Sequence, residues 1–345
     1  MIMNTQLSQV DTNITGEEKM GIEMNAQLYS VLSDKMYTNP IQSIIREVLS
    51  NAIDANIAAG VKNPVQVHFA SSLDPVFYIK DSGIGMTQEE VIEVFGTYGR
   101  SNKRNDNSQI GGLGLGAKTP FAYKKNGGMF TVESSKNGIK STTVFYKNSE
   151  DIPCKKLLGT EPSTETGTKV SFSVDSDDFN AFIRESIPVF LFAMQMPEIL
   201  NGQEKWLASA GFMDLDEVEE CREYIKSTLD IESLSYYSDR KDYEEAGVPY
   251  SFRPFIRNVL GQYSNNVIVE MGGVPYDVDL HQVFPSDPEA RDFIRSNRIK
   301  IIHFPIGSLD FQSSREKLNY TERTTKSLQR SLVNLAIDTF KAEHA

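Results

Sequence analysis

The chain has 345 residues, which at about 150 residues per domain points to roughly two domains, each able to bury a core without disulfide or metal staples. Its 35 Lys and Arg against 47 Asp and Glu leave a net charge of −12, which excludes general affinity for nucleic acid or an anionic membrane; any polyanion needs a local site. Cys154 and Cys221 are too few and too far apart for a disulfide framework, the apolar run from Ile187 to Met194 is far short of the ~20 residues of a membrane span, and the first residues carry no charged-then-apolar leader, so a soluble protein of the reducing cytoplasm is expected.

In chain order, the first strong element is a helix from about Ile41 to Ala59, with Asn39 as N-cap, Pro40 in the first turn and Gly60 just past the end. Ile41, Ile44, Ile45, Val48, Leu49, Ala52 and Ile53 recur at helical spacing. Val65, Val67 and Phe69 alternate as a half-buried strand, and 76–79 reads as a more buried one. A stretch rich in Gly, Asn and Ser follows from Asp81 to Gly116. Strands around 130–132 and 143–145 are joined near Asn137-Gly138, a dipeptide that tolerates the positive φ of a tight hairpin. Val170, Phe172 and Val174 alternate again. Helix, strand pair, hairpin and strand imply an α+β layer with a mixed, largely antiparallel sheet.

After about Ser176 a helical run extends to Leu200, followed by an acidic, Tyr-rich connection to about Pro254. Residues 267–276 form a second hairpin signal in which Pro275 suggests an edge strand, 301–304 a further strand, and Leu328, Leu332, Leu335 and Ala336 one face of a final helix from about Thr321. The expected division is 1–176 and 177–345, the second unit being a smaller α+β domain.

Four features carry chemistry. Glu47, Asn51 and Asp54 fall within about 60° of one another on the helix, away from the centre of its apolar stripe, where they form either a solvated face or a group able to hold a divalent cation and polarise a water. In Asp81-Ser82-Gly83-Ile84-Gly85-Met86, a carboxylate at a strand end followed by two glycines can accept a hydrogen bond from a planar amino group while the backbone passes a flat ring; the same residues also make a plain turn. The run Ile110-Gly111-Gly112-Leu113-Gly114-Leu115-Gly116-Ala117-Lys118-Thr119-Pro120 can turn successive N–H groups onto phosphate oxygens, with a helix starting near Ala117 adding its positive end, or can serve as a hinge. It is no Walker A loop, being one residue too long and preceded by 100–107 rather than a strand, and no dinucleotide fingerprint, because Gly112, Gly114 and Gly116 are spaced by two throughout. Gly167-Thr168 before the strand 169–172 takes its meaning from position alone.

In this order the four resemble the boxes of the GHKL ATPases, the group containing gyrase B subunits, Hsp-ninety chaperones, MutL repair proteins and histidine kinases. Residues 46–55 look like the N-box, 81–86 like the adenine box, 111–116 like the lid-and-phosphate box and 167–168 like the last motif. A Bergerat-type ATPase sandwich followed by a transducer-like α+β domain is what the resemblance implies. Ser72-Leu73-Asp74-Pro75, the run 110–121, and 304–310 followed by Ser314-Arg315-Glu316 look more specifically like the rIIA proteins of T-even bacteriophages, a family linked to lysis timing and host exclusion. Members of that family are about twice this length, so the resemblance covers their N-terminal half and carries over no function housed in the other.

Carried over residue by residue, the resemblance implies Glu47 as general base, Asn51 as Mg²⁺ ligand, Asp81 as acceptor of the adenine amino group, Gly83 and Gly85 beside the ring with Met86 packing on it, and Asp54 and Thr168 in the adenine-side water network. It implies that Gly111, Gly112, Leu113, Gly114, Leu115 and Gly116 cradle the phosphates with Lys118 adding charge, and that about 87–118 forms the lid. It implies Arg315 as reader of the γ-phosphate. His68, His281, His303 and His344 are scattered, and surface or packing roles are expected for them. The expected activity is slow, Mg²⁺-dependent ATP hydrolysis driving a switch, with ATP and ADP as ligands and room for a nucleotide-dependent homodimer and for a host or phage protein partner. An alternative is a nucleotide-gated binding protein or inhibitor of a host defence factor in which hydrolysis is incidental. A histidine kinase is disfavoured, since no His sits on a dimerisation helix before the N-box.

Overall fold

The computed structural model describes residues 25–98, 115–227, 230–232, 240–245, 247–259, 267–295 and 298–343. A short helix, α1 (Ala26–Ser30), precedes α2 (Pro40–Ala58), which starts where the Asn39 side chain accepts from the backbone N–H of Gln42 and ends before Gly60, whose φ of +66° terminates the helix. Seven strands follow: β1 (Gln66–His68), β2 (Val76–Lys80), β3 (Phe130–Lys136), β4 (Ile139–Lys147), β5 (Pro153–Pro162), β6 (Gly167–Ser173) and β7 (Glu198–Asn201). They form one sheet in the order β5-β4-β3-β6-β2-β1-β7, antiparallel throughout except for the parallel β1–β7 pair.

Register explains how this sheet builds a core. Val67 lies opposite Ile79, Ile79 opposite Val170, and Val170 opposite Val132, so one buried row of branched side chains crosses four strands. The apolar stripe of α2 (Ile44, Ile45, Val48, Leu49, Ile53) packs in the same buried cluster. At roughly 1.5–3 kcal/mol for each large aliphatic side chain, this burial anchors the helix and fixes which of its faces remains for other work. On the opposite face of the sheet charges pair instead, with Lys169 Nζ 3.2 Å from Glu133 and Lys80 Nζ 2.9 Å from Glu165.

Between β2 and β3 lie α3 (Gln88–Gly96) and a 3-10 helix at Gly116–Ala122. A reciprocal capping box starts α3: Thr87 Oγ1 accepts from the Glu90 N–H and Glu90 Oε2 accepts from the Thr87 N–H. The helix expected near Ala117 is thus a 3-10 turn, and Pro120 within it lacks the N–H that a longer α-helix would use.

Beyond Ser176 come α4 (Phe179–Phe192), α5 (Gln203–Ala210), α6 (Leu215–Ser227), α7 (Arg240–Glu245) and α8 (Arg253–Asn258). Phe182, Phe190, Trp206, Val218 and Phe255 share the core of the seven-stranded sheet, so the packing of that layer continues past Ser176. A second sheet, in the order β10-β9-β11-β8, is built from β8 (Asp230–Glu232), β9 (Val267–Met271), β10 (Pro275–Asp277) and β11 (Arg298–Phe304). Pro275 sits on its edge strand, as a residue without an N–H should. With α9 (Leu280–Val283), α10 (Pro288–Arg295) and α11 (Glu322–Glu343) this sheet encloses a separate buried cluster that includes Val269, Tyr276, Leu309, Leu328 and Leu332. No helix among the described residues is long and apolar enough to cross a membrane.

Candidate functional site

Where the free face of α2 meets the loop after β2, a cavity of about 430 Å³ opens. Glu47, Asn51 and Asp54 reach it from α2, because the Ile/Leu/Val stripe commits the other side of the helix to the core. Asp81, Gly85 and Met86 come from the loop, Thr168 from β6, and Leu115, Gly116 and Lys118 from the 3-10 turn. Arg315 completes the wall from the second sheet's side. Gly83 is absent from the lining; it packs on α2, where a Cβ would stand 2.8 Å from the Ala55 carbonyl oxygen. Gly111, Gly112, Leu113 and Gly114, with residues 99–110 of the expected lid, lie outside the described residues.

Asp81 is buried and held rigidly. Its Oδ1 accepts from the N–H of Gly83 at 2.9 Å and of Thr168 at 3.1 Å, while its own N–H donates to the Thr168 carbonyl at 2.9 Å. Both side-chain bonds fall on Oδ1, leaving Oδ2 as the acceptor for a ligand. Burial pushes the Asp81 carboxyl up to about 6, against the opposing pull of those two amides. Ser134 of β3 ties the surroundings together: its Oγ accepts from the Met86 N–H and lies 2.8 Å from Thr168 Oγ1. Asn56 does the same from α2, accepting from the Ser82 N–H at 2.8 Å. Gly85, at φ +68°, passes so close to β3 that a Cβ would stand 2.0 Å from the Ser135 carbonyl oxygen.

At the other end of the cavity the Glu47 carboxylate meets three groups. Arg315 donates from Nη1 to Oε2 at 3.0 Å, Arg46 Nε lies 3.7 Å from Oε1, and Gly116 passes so near that a Cβ there would be 2.3 Å from Oε2. Arg315 sits at the tip of a narrow hairpin closed by the Phe311–Leu318 bridge, and its φ of +57° is a conformation that costs a non-glycine residue of order 1–3 kcal/mol. The surrounding contacts hold Arg315 in this conformation at the cavity wall. Lys118 is buried, donates to the Val94 carbonyl at 2.5 Å, and is brought down to about 8 by burial.

Sequence reasoning missed Ser134, Asn56, Tyr37, Glu90 and Lys136, which support or line the site. Ser134 and Lys136 stand on a strand whose alternation looked ordinary; only the register β3–β6, Ser134 opposite Thr168, brings Ser134 here. His68 stacks on Tyr78 with ring centroids 4.8 Å apart, and His303 Nδ1 lies 2.9 Å from Glu270; neither lines the cavity.

A mixed sheet covered on one face by helices, with a carboxylate at a strand end and a second carboxylate and an amide on the covering helix, is consistent with a Bergerat-type, GHKL ATPase-like domain. Residues 36–177 match the family model described as histidine kinase-, DNA gyrase B- and HSP90-like ATPase. Among the relatives found, the chain is 32% identical over 137 residues to the chaperone protein HtpG of Polaromonas naphthalenivorans (strain CJ2), covering 33% of this chain and 21% of that protein. Against HtpG of Chlorobium luteolum it is 26% identical over 252 residues, covering 61% of this chain and 38% of the relative. Against HtpG of Polaromonas sp. (strain JS666) the figures are 30% over 209 residues, 52% and 32%. The match thus spans about a fifth to two fifths of these relatives' own length.

Proposed function

We propose that the cavity binds ATP and that the chain hydrolyses it slowly, as a nucleotide-operated switch. The observation that carries this reading is the convergence on one cavity of Asp81, Glu47, Asn51 and Arg315, drawn from positions as much as 268 residues apart. In it, Asp81 Oδ2 accepts the adenine amino group, Gly85 lets the ring approach, Met86 packs on it, and Thr168 and Asp54 hold water beside it. Leu115, Gly116 and the glycines at 111, 112 and 114 serve the phosphates.

Asn51 and Glu47 stand one helical turn apart on the cavity wall, and an amide oxygen beside phosphate oxygens and waters is the donor set that suits Mg²⁺. Asn51 would hold the ion, whose contribution when bound is to neutralise phosphate charge. Glu47 orients the attacking water and takes its proton. Before it can do so its pairing with Arg315 must loosen, and a γ-phosphate is the natural competitor, since a guanidinium fork fits phosphate oxygens as well as carboxylate. That exchange gives a physical reason for slow turnover.

The segments 72–75, 110–121 and 304–316 support a finer reading, a phage-encoded switch of the rIIA type acting on lysis timing or host exclusion in the host cytoplasm, through a nucleotide-dependent homodimer or a protein partner. The ATP-binding unit then corresponds to the seven-stranded sheet, whose buried cluster runs past the expected boundary at 176 through α4–α8 and takes in Ile268 and Ile301, and the transducer-like α+β unit to the second sheet with its own cluster. Glu47→Ala tests the catalytic reading: Mg²⁺-ATP affinity by calorimetry stays within about threefold of wild type while turnover is lost, because a general base acts on water rather than on ground-state binding. Undiminished turnover in the purified variant would contradict it.

A further inference from the structure

The hairpin that carries Arg315 is fastened to the helix that carries Glu47 by a residue to which no role has been given. Glu316 turns its carboxylate onto the start of α2: Oε2 accepts from the Thr38 N–H at 2.8 Å, and Oε1 accepts from the Asn39 N–H at 2.9 Å and from Ser43 Oγ at 3.0 Å. Burial pushes this carboxyl up, yet the amides of Thr38 and Asn39 and the hydroxyl of Ser43 more than offset it, so it sits below the usual carboxylate range.

The fastening is reciprocal. Arg46, one turn beyond Ser43 on the same helix, donates from Nη2 to the Ser314 carbonyl at 3.1 Å. From behind, Phe311 lies under the Arg315 guanidinium at 5.4 Å and stacks on Tyr276 of β10 at 6.4 Å, so the hairpin is gripped by its own sheet as well. Three successive residues, Ser314, Arg315 and Glu316, therefore touch α2 at the Arg46 side chain, the Glu47 side chain and the N-terminal amides respectively. Arg315 alone would be a single ion pair on a flexible stem; with its chain neighbours tied down its reach is fixed.

We propose that Glu316 is a positioning residue, a clamp that locks the Arg315 hairpin to the N-terminal turn of α2 and so sets Arg315 against Glu47 and the phosphate end of the cavity. The inference deepens the ATPase reading and rests on it for the catalytic consequence, but the clamp itself stands on these hydrogen bonds. Because every ligand of Glu316 lies at residues 38–43, the clamp joins the second sheet to the helix by a contact that touches no nucleotide. It therefore persists through the cycle while Arg315 exchanges partners.

The test compares Glu316→Ala, Glu316→Gln, Arg315→Ala and the Arg315→Ala/Glu316→Ala double variant in the full chain, by amide hydrogen exchange of a peptide spanning 36–43 and by steady-state ATP turnover. Glu316→Ala is expected to speed exchange in that peptide about tenfold while peptides from β3 and α4 stay protected, since it removes the acceptor of two amides. Turnover number falls to within about threefold of the Arg315→Ala value with KM and ADP affinity unchanged, and the double variant is no slower than Arg315→Ala alone, as expected of residues acting as one unit. Glu316→Gln, which keeps one acceptor oxygen, lies between and carries the comparison should the alanine variant not fold. Unchanged exchange at 36–43 overturns the clamp, and multiplicative losses in the double variant overturn its action through Arg315. A wild type that shows no turnover defeats the ATPase reading instead, and the exchange measurement then still decides the clamp.

Discussion

At the scale of single residues, the site sets two carboxylates in different surroundings. Asp81 is desolvated with two amides on one oxygen, and it sits at about 6. Glu47 faces two guanidinium groups. If Oδ2 of Asp81 must be ionised to accept the adenine amino group, ATP affinity falls as pH drops through about 6, approaching tenfold per pH unit below it. The effect on the free protein has the opposite sign. A carboxyl raised in the folded state contributes stability that is fully present below its unfolded value of about 3.8 and is lost as pH rises through about 6. Calorimetric titrations on either side of that pH, repeated with Asp81→Asn, check both parts. The variant is expected to bind ATP about tenfold or more weakly at neutral pH, from the roughly 1–3 kcal/mol of an unmatched polar contact, and to show no step near pH 6. A step that survives in the variant would assign the titration elsewhere.

At the scale of elements, legibility followed the physics of each signal. The helix α2 could be read almost to the residue because an N-cap, a proline and a terminal glycine bracket an uninterrupted 3.6-residue stripe. The β3–β4 hairpin was equally plain, since Asn137 and Gly138 both take the positive φ that the dipeptide predicts. The edge strand β5 went unread: Lys155, Lys156, Leu157 and Leu158 are not alternating, and nearly every residue from Lys155 on is exposed. The strand β7 was hidden because it borrows its pairing from β1, more than a hundred residues earlier, and no local pattern encodes a parallel partner. Arg315 and Glu316 were legible only as a resemblance, for their burial depends on a hairpin tip meeting a helix from the other layer. The adenine-side loop gives this scale its own prediction. Gly85→Ala forces a Cβ into the Ser135 carbonyl and a residue into φ +68°, and should lower stability by roughly 1–3 kcal/mol or more in denaturant titrations. A variant with an unchanged midpoint would show that the loop can move away from β3 freely.

At the scale of the whole molecule, the second sheet meets the first layer in two ways: Ile268 and Ile301 join the buried cluster of the seven-stranded sheet and its helices, and at the cavity a polar contact runs from Arg315 to Glu47. This is what a nucleotide switch requires: a ligand gripped by one layer and read by a group from the other, so that loss of the γ-phosphate changes the bond between layers. In the described structure Arg315 is already at the site, bonded to Glu47, so on the proposed reading the change on ATP binding is an exchange of partner rather than a long journey. The measurement that bears most directly on this account is turnover and ADP affinity of Arg315→Ala beside wild type. The account predicts ADP affinity within about threefold of wild type and hydrolysis slowed by about tenfold to 10³-fold, at or below the lower end of the roughly 10³–10⁵ that arginines contribute to phosphoryl transfer. Hydrolysis at the wild-type rate, with ADP bound equally well, would contradict it and leave the pairing of Arg315 with Glu47 a structural contact alone.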